Sequence, residues 1–525
     1  MTGAQHLLAT LQAHGIEVCF ANPGTTELDI VRAFESEGAM RCVIGLQENV
    51  CTGAADGYGR MLGQPAATLL HLGPGFANGI ANLHNARRAR TPNVNLIGDH
   101  TSWHLPFDAP LTSDIESLAR PVSGWVHRLT SVADCAPAAA EAVRQSRQHG
   151  GQGATLIFPA DFQAQAVAAT ERAQPPGSAQ VLATPAMSSP MPVNAAQVQT
   201  FAQQLRASPN TVFLLGGGGP DSALGARAQQ AVARLCAALG STAYAETFPA
   251  RAERGQGLPA FDRLPYFPEP ARQVLDPASL VVLVGALPPV TYFGYEGVPS
   301  RMVEDARLLR LSEPGQPVAD LLDALADALH APAYTPAPTP LPDAATGTLT
   351  PAKIASVLAR ELPAQAIVSV EGGTCGYPFY AASASARPHT TLTNTGGAIG
   401  QGLPVAMGAA IACPQRQVVA LVSDGSTQYT IQTLWSMAHE GLNVVVLVAA
   451  NHQYAILRNE LRRGGATLSD KAQAMTSLDH PRIDWVQLAQ SYGVPASRAH
   501  TGEELTAQVQ TAFGRRGPML IEMAL

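Results

Sequence analysis

One unit recurs in every part of this chain: a short apolar or β-branched run, a turn rich in glycine or small polar residues, then a helical pattern. Residues 17–20 lead into Ala-Asn-Pro-Gly at 21–24, and residues 67–70 into His-Leu-Gly-Pro-Gly at 71–75. Residues 211–215 precede four glycines and a proline, and residues 280–284 precede Gly-Ala-Leu-Pro-Pro. Residues 418–422 precede Ser-Asp-Gly-Ser, and residues 444–449 precede Ala-Asn. Strand, turn and helix in repetition build parallel sheets covered by helices on both faces, so the expected class is α/β. Ligands of such folds sit beyond the carboxyl ends of the strands, which is where these turns lie.

A chain of 525 residues is too long for a single core. Residues 165–193 and 331–350 are rich in Pro, Ala, Ser and Thr and read as linkers. They leave three blocks, 1–165, 193–330 and 350–525, expected to be two outer domains and a central Rossmann-like one. The formal charge of -7, without a basic block, argues against nucleic acid but not against a small anion. The seven cysteines are scattered and form no CxxC pair, as expected for reduced thiols in the cytoplasm. The N-terminus lacks a leader pattern and no apolar run is long enough to cross a bilayer, so no membrane role is expected.

The turn at 423–426 carries the most chemistry. Asp424 ends one predicted strand and Asn451 ends the next, with a helical pattern over 427–441 between them. A carboxylate and an amide oxygen so placed suit Mg2+, which takes hard oxygen ligands and shares its shell with phosphate. Gly425 lets the backbone approach a ligand, and the N–H groups of Gly425 and Ser426 at a helix start favour an anion. Asp-Gly-Ser alone is an ordinary turn; the Asn at the following strand end is what raises the metal reading above it.

Residues 423–451 resemble the signature of thiamine-diphosphate enzymes, Gly-Asp-Gly followed some two dozen residues later by Asn-Asn. Ser423 replaces the first Gly and Ala450 the first Asn, while Asp424 and Asn451 are retained. The resemblance implies a third metal ligand, the backbone carbonyl of Gln453. Residues 45–60 resemble the family's activating segment, which makes Glu48 the glutamate that hydrogen-bonds the cofactor's aminopyrimidine. Residues 395–410 resemble the stretch that props the cofactor between its two rings, with Ile399 as the prop. The family likeness spans the chain and implies thiamine diphosphate and Mg2+, a 2-oxo acid substrate, and a homodimer or homotetramer with sites between subunits.

Within the family the chain resembles the benzoylformate decarboxylases. Thr25, in Asn-Pro-Gly-Thr, stands where they have a serine that contacts the substrate carboxylate, and His71 where they have a proton-shuttling histidine. Their second histidine, from the central domain, has no counterpart in Gly-Ala-Leu-Pro-Pro-Val-Thr-Tyr-Phe; Tyr292 or Phe293 falls near its place, and His100 and His104 offer another proton path, although solvent-facing loop positions are the expectation for both. The acetolactate synthases are the alternative, but no segment matches their flavin-binding stretches, so no functional FAD or nicotinamide is expected. Two rival classes stay open: a nucleotide-dependent oxidoreductase, which lacks a fingerprint here, and a non-catalytic family member acting as a subunit or binding protein.

Overall fold

The computed structural model describes residues 1–36, 40–167, 193–465 and 467–525. Of the first linker, residues 168–192 lie outside the described residues; residues 331–346 of the second form neither helix nor strand.

The strands, in chain order, are β1 (Val18–Asn22), β2 (Arg41–Ile44), β3 (Ala66–Leu70), β4 (Asn93–Asp99), β5 (Trp125–Arg128), β6 (Gly153–Pro159), β7 (Thr211–Leu215), β8 (Thr242–Ala245), β9 (Arg251–Arg254), β10 (Asp262–Arg263), β11 (Leu280–Val284), β12 (Leu308–Ser312), β13 (Ile367–Val370), β14 (His389–Thr393), β15 (Val418–Ser423), β16 (Val444–Ala450), β17 (Ala496–Ala499) and β18 (Met519–Ala524). They form three sheets, ordered β2-β1-β3-β4-β6-β5, β10-β8-β7-β11-β12 and β17-β18-β16-β15-β13-β14-β9. The first two are parallel throughout, and in the third only β9 runs antiparallel, against β14. The α/β expectation holds, and the physical reason is visible in β3, β7 and β16, whose residues are all buried. β9 comes from the central block yet pairs with the third sheet, an exchange that its sequence does not announce.

The first and third sheets share one hydrophobic core. Its centre is the crossing of helix Glu48–Leu62 over helix Gly402–Ala412. A Cβ at Gly57 would lie 2.1 Å from the Val405 carbonyl oxygen, and one at Gly408 1.9 Å from that of Ala54. Small residues let the two backbones touch, which sets the Glu48 helix against the glycine-rich segment after β14.

The helical pattern over 427–441 breaks in two. A short helix, Asp424–Thr427, is followed by turns and a second helix, Thr433–His439. Thr427 and Ser426 donate back to the Ser423 carbonyl, and Thr430 donates to the Gly400 carbonyl at 2.9 Å, drawing the chain towards the glycine-rich loop. Side-chain bonds to nearby backbone thus displace the helical ladder.

Candidate active site

The first half of the site lies at the carboxyl ends of β1 and β3. Beyond β1 the chain makes a single turn, Thr25–Glu27, with Thr25 exposed and Glu27 fully buried. Beyond β3, His71 opens helix Leu72–Ala89. Its imidazole rests on Gly24, where a Cβ would sit 2.3 Å from Nδ1. Glu48 is the first residue of its helix, 9% exposed, and accepts a hydrogen bond from Asn78 Nδ2 at 3.0 Å. Glu48 and His71 flank Gly75, whose Cβ position lies 3.0 Å from Glu48 Oε1 and 3.2 Å from His71 Cβ. Glu48 and His71, distant in sequence, are therefore neighbours.

The second half lies at the ends of the paired strands β15 and β16. Asp424 is 2% exposed and accepts N–H bonds from Gly425 at 2.8 Å and from His452 at 2.6 Å. The second of these ties the two strand ends together. Asn451 Oδ1 accepts from the Gln453 N–H at 3.1 Å, and its Nδ2 donates to Thr374 Oγ1 at 3.1 Å. Gly425 leaves room for the Tyr454 ring, 2.6 Å from the position of a Cβ. Ser423 is tolerated because its hydroxyl faces Gly372, which has a φ of 102° and no side chain to clash.

Asp424 forms no salt bridge among the described residues, and burial pushes its carboxyl above the usual carboxylate range against the pull of its N–H donors. A buried carboxylate short of positive charge, beside an amide oxygen on the next strand, is a donor set that a hard dication would complete. Among the described residues no group of three or more His, Cys, Asp or Glu could hold a metal unaided. One carboxylate plus neutral oxygens is the set expected where an anionic ligand fills the remaining positions.

Between the halves runs the loop bearing Ile399, which is half-buried. From the first block, Asn82 reaches the Gly400 carbonyl, His84 that of Gly396 and Asn85 that of Ala398. From below, the buried Glu371 accepts N–H bonds from Gly400 at 2.7 Å, Gln401 at 3.1 Å and Gly402 at 2.8 Å. From the central block, Tyr292 brings its hydroxyl to Gly397, 1.8 Å from the site of a Cβ. Its ring packs with Phe248, Tyr266 and Phe293 at centroid distances of 5.8, 5.0 and 5.0 Å. His100 and His104 pack edge to face at 5.3 Å beyond β4.

No hydrogen bond or ion pair among the described residues joins the Glu48–His71 group to the Asp424–Asn451 group. Sequence reasoning missed Glu27, Asn78, Thr374 and Glu371. Only Glu27 left a signal, an acid three residues after Gly24 at the start of a turn.

Two family models match, the N-terminal TPP binding domain of thiamine pyrophosphate enzymes over residues 1–118 and their C-terminal TPP binding domain over residues 372–523. The chain is 45% identical to the "Putative acetolactate synthase large subunit IlvX" of Mycobacterium tuberculosis, over 100% of this chain and 99% of that protein. It is 28% identical to a benzoylformate decarboxylase of Pseudomonas aeruginosa, over 98% and 97% of the two chains. Among solved structures, the thiamine diphosphate-dependent 4-hydroxybenzoylformate decarboxylase of Rhodococcus jostii RHA1 superposes with a TM-score of 0.84 at 24% identity, over 99% and 98% of the chains, a likeness of fold. With both terminal domains matched and a full-length relative at this identity, the chain belongs to the thiamine pyrophosphate enzyme family.

Proposed function

We propose that this protein is a thiamine-diphosphate- and Mg2+-dependent enzyme that decarboxylates a 2-oxo acid, releasing an aldehyde or joining the remaining acyl unit to a second carbonyl compound. The observation that carries the reading is the meeting of Glu48 with His71 around Gly75 at one set of strand ends, with Asp424 and Asn451 at the adjoining ends of β15 and β16, tied by the His452 N–H bond to Asp424. The bound cofactor would supply the carbon that attacks the 2-oxo group and the electron sink that follows loss of carbon dioxide.

The chain's own residues divide the remaining work. Asp424, the Asn451 side-chain oxygen and the Gln453 carbonyl would hold Mg2+, and Gly425 and Ser426 would let the backbone approach the diphosphate. Ile399 supports the cofactor between its rings. Glu48, kept from water at the head of its helix, hydrogen-bonds the aminopyrimidine. Thr25, whose hydroxyl has no hydrogen-bond partner among the described residues, is the donor to the substrate carboxylate. His71 holds and returns the proton, a role typically worth about 10²- to 10⁴-fold in rate. Exposed Leu28, Ile44 and Leu46 beside the first half, and Tyr429, Ile456 and Leu457 beside the second, favour a homodimer or homotetramer that covers them. The seven free cysteines favour the cytoplasm.

A second reading, carboligation of the acetolactate synthase kind, is favoured by the name of the 45% identical relative and by the absence of a histidine from residues 285–297, where the resemblance to benzoylformate decarboxylases puts Tyr292 or Phe293 near the place of their second histidine. The test is incubation with cofactor, Mg2+ and single 2-oxo acids (pyruvate, 2-oxobutanoate, benzoylformate), with products followed by NMR. Aldehyde supports the first reading and a 2-hydroxy ketone or acid the second. Binding of cofactor with every acid untouched would count against both.

A further inference from the structure

Glu27 carries a fully buried carboxyl group, and none of the roles above uses it. It is 0% exposed and has no Lys or Arg partner among the described residues. Its Oε2 lies 2.8 Å from His71 Nδ1 and accepts the Gly24 N–H at 2.7 Å; its Oε1 accepts the Thr26 hydroxyl at 2.7 Å. Thr26 Oγ1 is itself 3.3 Å from His71 Nδ1. On the far side, β4 presents Gly98, where a Cβ would fall 1.8 Å from Glu27 Oε1. Glycine there is what gives the carboxylate its seat.

A cap for the Thr25–Glu27 turn needs only the Gly24 bond, which an exposed side chain could make. The second bond, to an imidazole 23% exposed, is what burial secures. An ionised carboxylate accepts and cannot donate, so the proton on the neutral imidazole must sit on Nδ1, leaving the Nε2 lone pair as the open basic site. We propose that Glu27 is a positioning residue that holds His71 as its Nδ1–H tautomer, with Nε2 presented as proton acceptor and donor. The inference rests on the role proposed above for His71.

The first readout needs neither cofactor nor substrate. In ring-15N-histidine solid-state NMR of the full-length protein, at a pH where the imidazole is neutral and with His71→Asn to assign the signal, wild-type His71 is expected as Nδ1–H. Glu27→Ala should move it to the Nε2–H form. Gly98→Ala should do the same by pushing the carboxylate out of its seat, without altering either partner. A wild-type His71 found as Nε2–H, or a tautomer unchanged in a folded Glu27→Ala protein, overturns the proposal. On a substrate identified by the product assay, Glu27→Ala should lower kcat by no more than the about 10²- to 10⁴-fold that a positioned histidine supplies. The Glu27→Ala, His71→Ala double variant should be no slower than His71→Ala alone; losses that multiply would overturn the coupling. If no substrate is turned over, the function proposed above fails while the tautomer still decides the role of Glu27.

Discussion

Removing the Glu371 side chain should cost about as much as truncating a large buried apolar side chain nearby. Its carboxylate receives the N–H groups of Gly400, Gln401 and Gly402 at the start of helix Gly402–Ala412, and all three residues are buried. Glu371→Ala leaves three donors with no partner and no water. Each such group costs about 1–3 kcal/mol, so with partial relaxation the loss is roughly 4 kcal/mol. For a domain of this size that corresponds to about 8–16 °C in Tm. Glu371→Gln, which keeps one acceptor oxygen, should lose about half as much. The loop also carries Ile399, so cofactor affinity should fall with stability. Differential scanning calorimetry and calorimetric titration with thiamine diphosphate measure the two. A Glu371→Ala protein melting within about 2 °C of wild type, with unchanged affinity, would refute the view that this carboxylate builds the loop.

Gly57→Ala and Gly408→Ala should each destabilise the crossing of helices Glu48–Leu62 and Gly402–Ala412 by about 1–3 kcal/mol or more, because the new methyl meets backbone rather than a movable side chain; chemical denaturation checks this. His389, 1% exposed beside Phe379, has its pKa pushed down from 6.5 to about 4 by burial. The unfolded chain therefore binds this proton more readily than the folded one. The contribution is fully present above pH 6.5 and is lost as pH falls towards 4, amounting to about 3 kcal/mol. A plot of Tm against pH should be flatter over that window in His389→Gln. Asp424→Ala should weaken Mg2+-dependent binding of thiamine diphosphate more than about 100-fold, since even outer partners of a metal are typically worth about 10- to 100-fold; titration calorimetry with and without Mg2+ reads it.

The strand–turn rhythm was legible because the inner parallel strands are buried on both faces and are therefore almost wholly apolar: Thr211–Leu215 and Leu280–Val284 form where their composition placed them. That Asp424 and Asn451 follow adjoining strands was legible from the strand–turn spacing, and Glu48 stood out only through the family resemblance of residues 45–60. Glu371 was not legible, and Glu27 showed only as an acid at the start of a turn, because their partners Gly400–Gly402 and His71 come from other elements and meet them only after folding. The split of the 427–441 helix was hidden for the same reason, as Thr430 bonds to Gly400 across the core. β9 reads as part of the central block, and only its pairing with β14 reveals the exchange.

In the function proposed above, Glu48 activates the cofactor. This role is tested most directly by the rate at which the proton on the reactive thiazolium carbon of bound thiamine diphosphate exchanges with D2O, measured by quench-flow NMR in wild type and in Glu48→Ala and Glu48→Gln. Exchange in the wild type should be many times faster than in free cofactor, and in both variants it should fall to near the free rate while the cofactor stays bound. Exchange equally fast in all three proteins would contradict it.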